Sequence, residues 1–170
     1  MSDIHDKKDN RNISISNVGV TDYYVPFIFT NSGEEYITIS GITCGVSLNS
    51  ETKGAHLSRI NMVINEKIVN KKLCIDDLKE VTDLIAKEVG VNNANLTMKF
   101  KIAFDYTTPK SNLKSNLFSD IEIFLKSLDG KIVEESIEIS ANAAMLCPNS
   151  KAKSKYGAHS QKCILPSWQY

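Results

Sequence analysis

Two short stretches hold the residues whose types and spacing could do chemistry. The first is Cys147-Pro148-Asn149-Ser150, followed by Tyr156-Gly157-Ala158-His159-Ser160-Gln161. A thiolate and an imidazole are suitable ligands for zinc, iron or manganese, with sulfur favouring zinc. The same two groups could form a cysteine–histidine nucleophile couple. Two ligands do not make a catalytic metal site, which normally takes three from the protein and leaves a position for water. The spacing alone is equally that of a buried thiol and a surface histidine. The second stretch is Lys53-Gly54-Ala55-His56-Leu57-Ser58-Arg59. Lys53 and Arg59 can hold phosphates, and His56 can hydrogen-bond or shuttle protons. By itself this is also the pattern of a solvated charged loop. Lys151, Lys153, Lys155 and Lys162 read as a solvated basic face. No glycine-rich phosphate loop, dinucleotide fingerprint or nucleophile elbow is present.

Strands and turns must position these residues. Residues 1–11 hold little to bury and are expected to be disordered; residues 12–170 are read as one domain. Tyr23 to Phe29 is an apolar run interrupted by Pro26, which suits an edge or entry segment. Asn31-Ser32-Gly33 signals a turn. In the strand that follows, Ile37 and Ile39 lie in one phase and Ile42, Cys44, Val46 and Leu48 in the other, which predicts a bulge at Ser40-Gly41. Ser50 to Ser58 reads as a loop, so the first chemical stretch hangs from the end of a long strand.

Cys74 to Val89 is the one strong helix, with Leu78, Val81, Ile85 and Val89 on one face, Asp76 or Asp77 as cap and Gly90 as terminator. Leu96 to Tyr106 alternates as a half-buried strand. A polar loop from Thr107 to Asn116 precedes a strand over 121–128, and Asp129-Gly130 is a hairpin turn of type I′. On the return strand Ile137, Ile139, Ala141, Ala143 and Met145 share a phase that extends to Cys147, where Pro148 stops the pairing. Lys151 to Lys155 suits one helical turn. The expected class is α+β, an antiparallel sheet with helical cover on one face.

Composition narrows the function. The chain has 170 residues, 42% of them hydrophobic, enough for a core. Twenty basic residues balance twenty acidic ones, so no global field draws nucleic acid or an anionic membrane. No apolar run approaches the roughly 18 residues of a spanning helix, and the polar start MSDIHDKKDN lacks the apolar stretch of a secretory signal. A soluble cytoplasmic protein is expected. The four cysteines, Cys44, Cys74, Cys147 and Cys163, are then thiols or ligands rather than bridges. Cys44 and Cys74 sit in apolar patterns and read as small buried hydrophobes.

Together the stretches resemble the type IB GTP cyclohydrolase family. KGAHLSR is similar to that family's KGTHMSR, CPNSKAKSKYGAHSQK to its CPCSKxISxYGAHNQR, and the early NVGV to its VGV, in the same order over about residues 11–162. The resemblance implies a tunnelling fold whose subunits join into a barrel-like homo-oligomer. It implies hydrolytic opening of the GTP imidazole ring by metal-activated water, giving formate and 7,8-dihydroneopterin triphosphate for tetrahydrofolate biosynthesis. On this likeness Cys147 matches the catalytic cysteine and metal ligand, His159 the metal-binding histidine, and His56, Ser58 and Arg59 the substrate-binding segment. The divalent metal would be zinc, manganese or iron.

Asn149 stands in place of a second cysteine, Ala55 of threonine, Ser160 of asparagine and Lys162 of arginine, whose bidentate fork lysine lacks. The family continues past this motif into a second half-unit that supplies metal-site carboxylates, whereas Cys163 to Tyr170 match nothing in its pattern. A half-unit leaves sheet edges and apolar surface uncovered and is expected either to self-associate or to be unstable. The alternative reading is a catalytically inactive remnant or binding module of the same fold; the related nitrile reductase of the queuosine pathway is a third.

Overall fold

The architecture follows from two periodicities, strands of period two on one long sheet and two helices laid on one of its faces. The computed structural model describes residues 13–51, 54–107, 112–146 and 158–165, together with residue 152. The elements are β1 (Ile15–Asn31), β2 (Glu34–Leu48), α1 (Leu57–Lys67), β3 (Lys72–Leu73), α2 (Ile75–Val89), β4 (Asn93–Thr107), β5 (Lys114–Leu128), β6 (Lys131–Leu146) and β7 (Ala158–Leu165). The sheet order is β3-β1-β2-β4-β5-β6-β7.

All neighbours are antiparallel except β3, which pairs parallel with β1 through Ile28–Lys72 and Phe29–Leu73. The sheet is therefore mixed, where antiparallel pairing alone was expected. The short β3 follows α1 back across the sheet, so it enters with the direction of β1. The expected disorder of residues 1–11 and the helical turn at 151–155 lie outside the described residues, apart from residue 152.

The hairpin turns obey local chemistry. Ser32 and Gly33 take φ of 51° and 86° and close β1–β2, while Asp129 and Gly130 at 50° and 76° close β5–β6. Positive φ at both central residues is the type I′ geometry that matches strand twist. Pro26 lies in β1 as Ile39's partner, and its carbonyl accepts from Asn70 N at 2.8 Å on the outer side. Its missing N–H thus falls on the side away from β2 and costs no ladder bond.

The expected bulge at Ser40-Gly41 is absent. β2 keeps one phase: Ser40, Ile42, Cys44, Val46 and Leu48 are buried, whereas Ile37 and Ile39 are 87% and 64% exposed on the opposite face. The extra residues sit in β1, between Ile15 and Val18 and between Val20 and Tyr23, where Asp22 takes a φ of 51°. Two isoleucines on the face without helices give the sequence a false change of phase.

The helix-bearing face holds the core. Val25, Phe27, Phe29, Leu96, Met98, Phe100, Ile121, Ile123 and Leu125 meet Ile60 and Ile64 of α1 and Leu78, Val81 and Ile85 of α2. Phe100 packs edge-on to Phe27 at 5.2 Å and tilted on Phe29 at 5.1 Å. The second helix, α1, stands where a loop was expected over part of the stretch. Only three of its residues, Ile60, Val63 and Ile64, are buried, so its apolar signal is short.

The NVGV stretch has a packing role. Gly19 pairs with Gly45, and a Cβ on Gly19 would lie 1.9 Å from the Cys44 carbonyl oxygen. A Cβ on Gly45 would lie 2.0 Å from Asn17 Oδ1, which accepts from Asn95 Nδ2 at 3.1 Å. The Asn17 amide thus lies over Gly45 and ties β1 to β4 across β2.

Candidate active site

Ala55, in the middle of the 54–56 segment, is buried and anchors the start of α1. His56 is the N-cap of α1, with φ −78° and ψ 74°, and its side chain makes no capping hydrogen bond. Ser58 and Arg59 therefore lie in the first helical turn, not in a loop. Arg59 N donates to His56 O at 2.9 Å, and Arg59 Nη1 donates to Glu88 O at 2.9 Å near the end of α2. Lys53 lies outside the described residues.

The other stretch is on the outer ladder. Leu146 of β6 is the register partner of Ala158 of β7, and Met145 of His159. Cys147 follows Leu146 and lies outside the described residues. His159 is thus the partner of the residue two before Cys147. Among the described residues no group of three or more His, Cys, Asp or Glu could hold a metal ion. A thiol from Cys147 and an imidazole from His159 suit a borderline-soft divalent ion, but they are two donors of the three that a catalytic site needs.

Within one chain the two stretches lie at opposite ends of the sheet. β2 finishes at Leu48, the end where β4 begins at Asn93 and β5 finishes at Leu128. The Arg59–Glu88 bond holds the start of α1 at that end, because α2 leads from Glu88 through Gly90 into β4. β6 finishes and β7 begins at the other end, where β4 finishes at Thr107 and β5 begins at Lys114. β4 has fifteen residues, so these ends are roughly 45 Å apart at about 3.3 Å per residue. His56, Ser58 and Arg59 come together; His159 is far from them.

The remaining described cysteines differ from each other. Cys44 is buried under the helices, and desolvation pushes its thiol up to about 12, which makes it unreactive. Cys74 is not a buried hydrophobe as expected but the half-buried N-cap of α2. Asp77, three residues on, accepts from Cys74 N at 2.7 Å and completes a capping box. Asp77 therefore supports the cap from inside the helix instead of being the cap. The contact from Cys74 N–H, with a smaller one from its thiol, holds the Asp77 carboxyl below its ordinary value of 3.8.

Comparison with known proteins bears on this arrangement. A family model described as type I GTP cyclohydrolase FolE2 matches residues 1–166. The GTP cyclohydrolase FolE2 of Citrifermentans bemidjiense is 32% identical over 166 residues, covering 97% of this chain and 61% of the relative. The FolE2 of Geotalea uraniireducens is 30% identical over 166 residues, 97% of this chain and 60% of that protein. The FolE2 of Thermotoga maritima is 28% identical over 167 residues, 97% and 62% respectively. The chain spans about three fifths of the length of these curated relatives. Among the described residues no helix is long and apolar enough to cross a membrane.

Proposed function

The chain belongs to the type I GTP cyclohydrolase FolE2 family, and on that premise we propose that it serves the type IB reaction on a tunnelling fold. GTP is the substrate, and formate and 7,8-dihydroneopterin triphosphate are the products. The observation that carries this reading is the match of the family model across both chemical stretches, joined to the β6–β7 register that leads His159 back alongside the strand ending before Cys147.

Cys147 and His159 would hold a divalent metal of the zinc, manganese or iron class. When bound, that ion supplies an activated water at neutral pH. The chain's own work is to bind and orient. Cys147, as thiolate, contributes a soft anchor, and His159 must be neutral to donate a lone pair, so loading weakens in acid. His56 and Ser58 offer hydrogen-bonding groups at the substrate side, on the first turn of α1.

These parts lie at opposite sheet ends, so one protomer does not bring them together by itself. We place the site between copies, with the 56–59 turn of one protomer beside the β6–β7 end of another. Two outer strands favour such pairing. Among the described residues β1 has an outer partner only at Ile28 and Phe29, and β7 has none on its far side. An open edge is a template for another chain.

The test is formate and dihydroneopterin triphosphate production from GTP by the purified chain with zinc, manganese or iron added in turn. Turnover rising with oligomer formation is the expected result. No turnover with any metal, in protein that is oligomeric and metal-loaded, would assign the chain to the inactive-remnant reading.

A further inference from the structure

Helix α1 begins without the usual local support. Its N-cap is His56, whose side chain makes no capping hydrogen bond to the first-turn N–H groups, and no acidic residue stands in that turn. Serine, threonine, aspartate or asparagine would normally satisfy those donors. A start of this kind frays unless tertiary structure holds it.

The holding group joins α1 to the end of α2. α2 ends on Gly90 in the left-handed region, at a φ of 84°. Gly90 N donates to Ala86 O at 3.0 Å and to Lys87 O at 3.1 Å, and Val91 N donates to Ala86 O at 3.0 Å. The next carbonyl in line, Glu88 O, takes Arg59 Nη1 at 2.9 Å. A guanidinium at this point does two things. It satisfies one of the last carbonyls of α2, and it sets a positive charge at the negative end of the helix. Arg59 also donates its own N–H to His56 O at 2.9 Å. One residue therefore joins the α2 terminus to the turn that carries His56 and Ser58, with buried Ala55 and Ile60 on either side.

From this geometry we infer that Arg59 is a positioning residue: it fixes the first turn of α1, and through it His56 and Ser58, by capping the C-terminus of α2. The inference deepens the proposed cyclohydrolase reading and rests on it for the role of His56. It takes Arg59 out of the triphosphate-binding set and leaves that task to other cations.

The test uses the full-length protein with Arg59→Ala and Arg59→Lys. The first reading is the ring-proton NMR signal of His56 at fixed pH without nucleotide, assigned by loss of that signal in His56→Gln. The second is affinity for inorganic triphosphate. The expected result is a displaced His56 signal in Arg59→Ala that returns toward the wild-type position in Arg59→Lys, with triphosphate affinity within about twofold of wild type. In protein that turns over GTP, kcat in Arg59→Ala falls on the order of tenfold or more while KM changes little, the pattern of a displaced group.

A His56 signal unmoved in Arg59→Ala overturns the inference, as does a tenfold or larger loss of triphosphate affinity. The two binding-state readings need no turnover, so an inactive wild-type protein would defeat the cyclohydrolase reading and leave the role of Arg59 decided. Should Arg59→Ala fail to fold, Arg59→Gln keeps an N–H donor without the charge, and the same two readings decide.

Discussion

The two ends of the sheet hold their chemical residues by different means. At the end where β2 finishes, His56, Ser58 and Arg59 start a helix whose Ile60 and Ile64 are fully buried, and Arg59 bonds the neighbouring helix. At the other end, β7 carries His159 on its ladder with β6, at the margin of the sheet and four strands from β2. Helix α2 reaches only the near part of β6, where Lys79 meets Glu135 at 3.0 Å. The difference teaches where each kind of change will register. Changes at the helix-covered end alter stability, because burial holds that end. On the proposed reading, changes at the marginal end would alter metal loading and chemistry with little effect on the core.

The sharpest way to break this contrast is Cys147→Ala. If the marginal end is chemical, metal content by elemental analysis falls to background and formate release drops on the order of a thousandfold or more. The thermal midpoint is expected to shift by less than about 2 °C. Undiminished metal content would refute the assignment of Cys147.

At the covered end, Gly19→Ala forces a Cβ to within 1.9 Å of the Cys44 carbonyl oxygen. Backbone cannot retreat as a flexible side chain can, so a loss of about 3 kcal/mol or more in denaturant unfolding is expected. A wild-type midpoint in this variant would show that the β1–β2 contact is looser than its geometry.

A smaller effect is expected from Asp77→Ala, which removes half of the capping box of α2. It should cost about 1 kcal/mol at pH 7. The pH dependence has a definite sign. The folded carboxyl lies below the unfolded value, so its contribution is complete above about pH 4 and is lost as pH falls through the folded value. The gap between wild type and variant should close over that acid range. A gap independent of pH would remove the charge from the account.

The smallest effect is that of Lys79→Ala. Lys79 bridges Glu135 of β6 at 3.0 Å and Asp76 at 3.1 Å, and the Glu135 contact leads in raising its pKa. The ammonium group is about a third exposed, so screening limits the loss to about 0.5 kcal/mol. A larger loss would mean that α2 holds β6, and the contrast between the two ends would weaken.

Much of this was legible from residue order. The turns at Ser32-Gly33 and Asp129-Gly130 were readable because positive φ restricts which residues can stand there. Helix α2 was readable because six of its residues recur on one buried face and Gly90 ends it. The resemblance to a cyclohydrolase was carried by the KGAHLSR and YGAHSQK stretches, and the family match extends over both. Helix α1 was missed because its buried set is short and its N-cap is a histidine, outside the usual capping residues. The bulge was placed on the wrong strand because Ile37 and Ile39 are apolar yet exposed, and alternation cannot tell an apolar solvent face from a buried one.

The sequence by itself determined the family and those elements whose signals are local: tight turns, strand alternation and the face of a long helix. Tertiary structure alone decided that β3 enters parallel, that the extra residues sit in β1, that Arg59 caps a helix 29 residues away, and that the two chemical stretches lie at opposite sheet ends. The physical reason is range. Dihedral preference and side-chain periodicity act over a few residues and are written in residue order. Register, crossover direction and the partner of a guanidinium depend on which distant segments pack together, and that is settled by burying the common core.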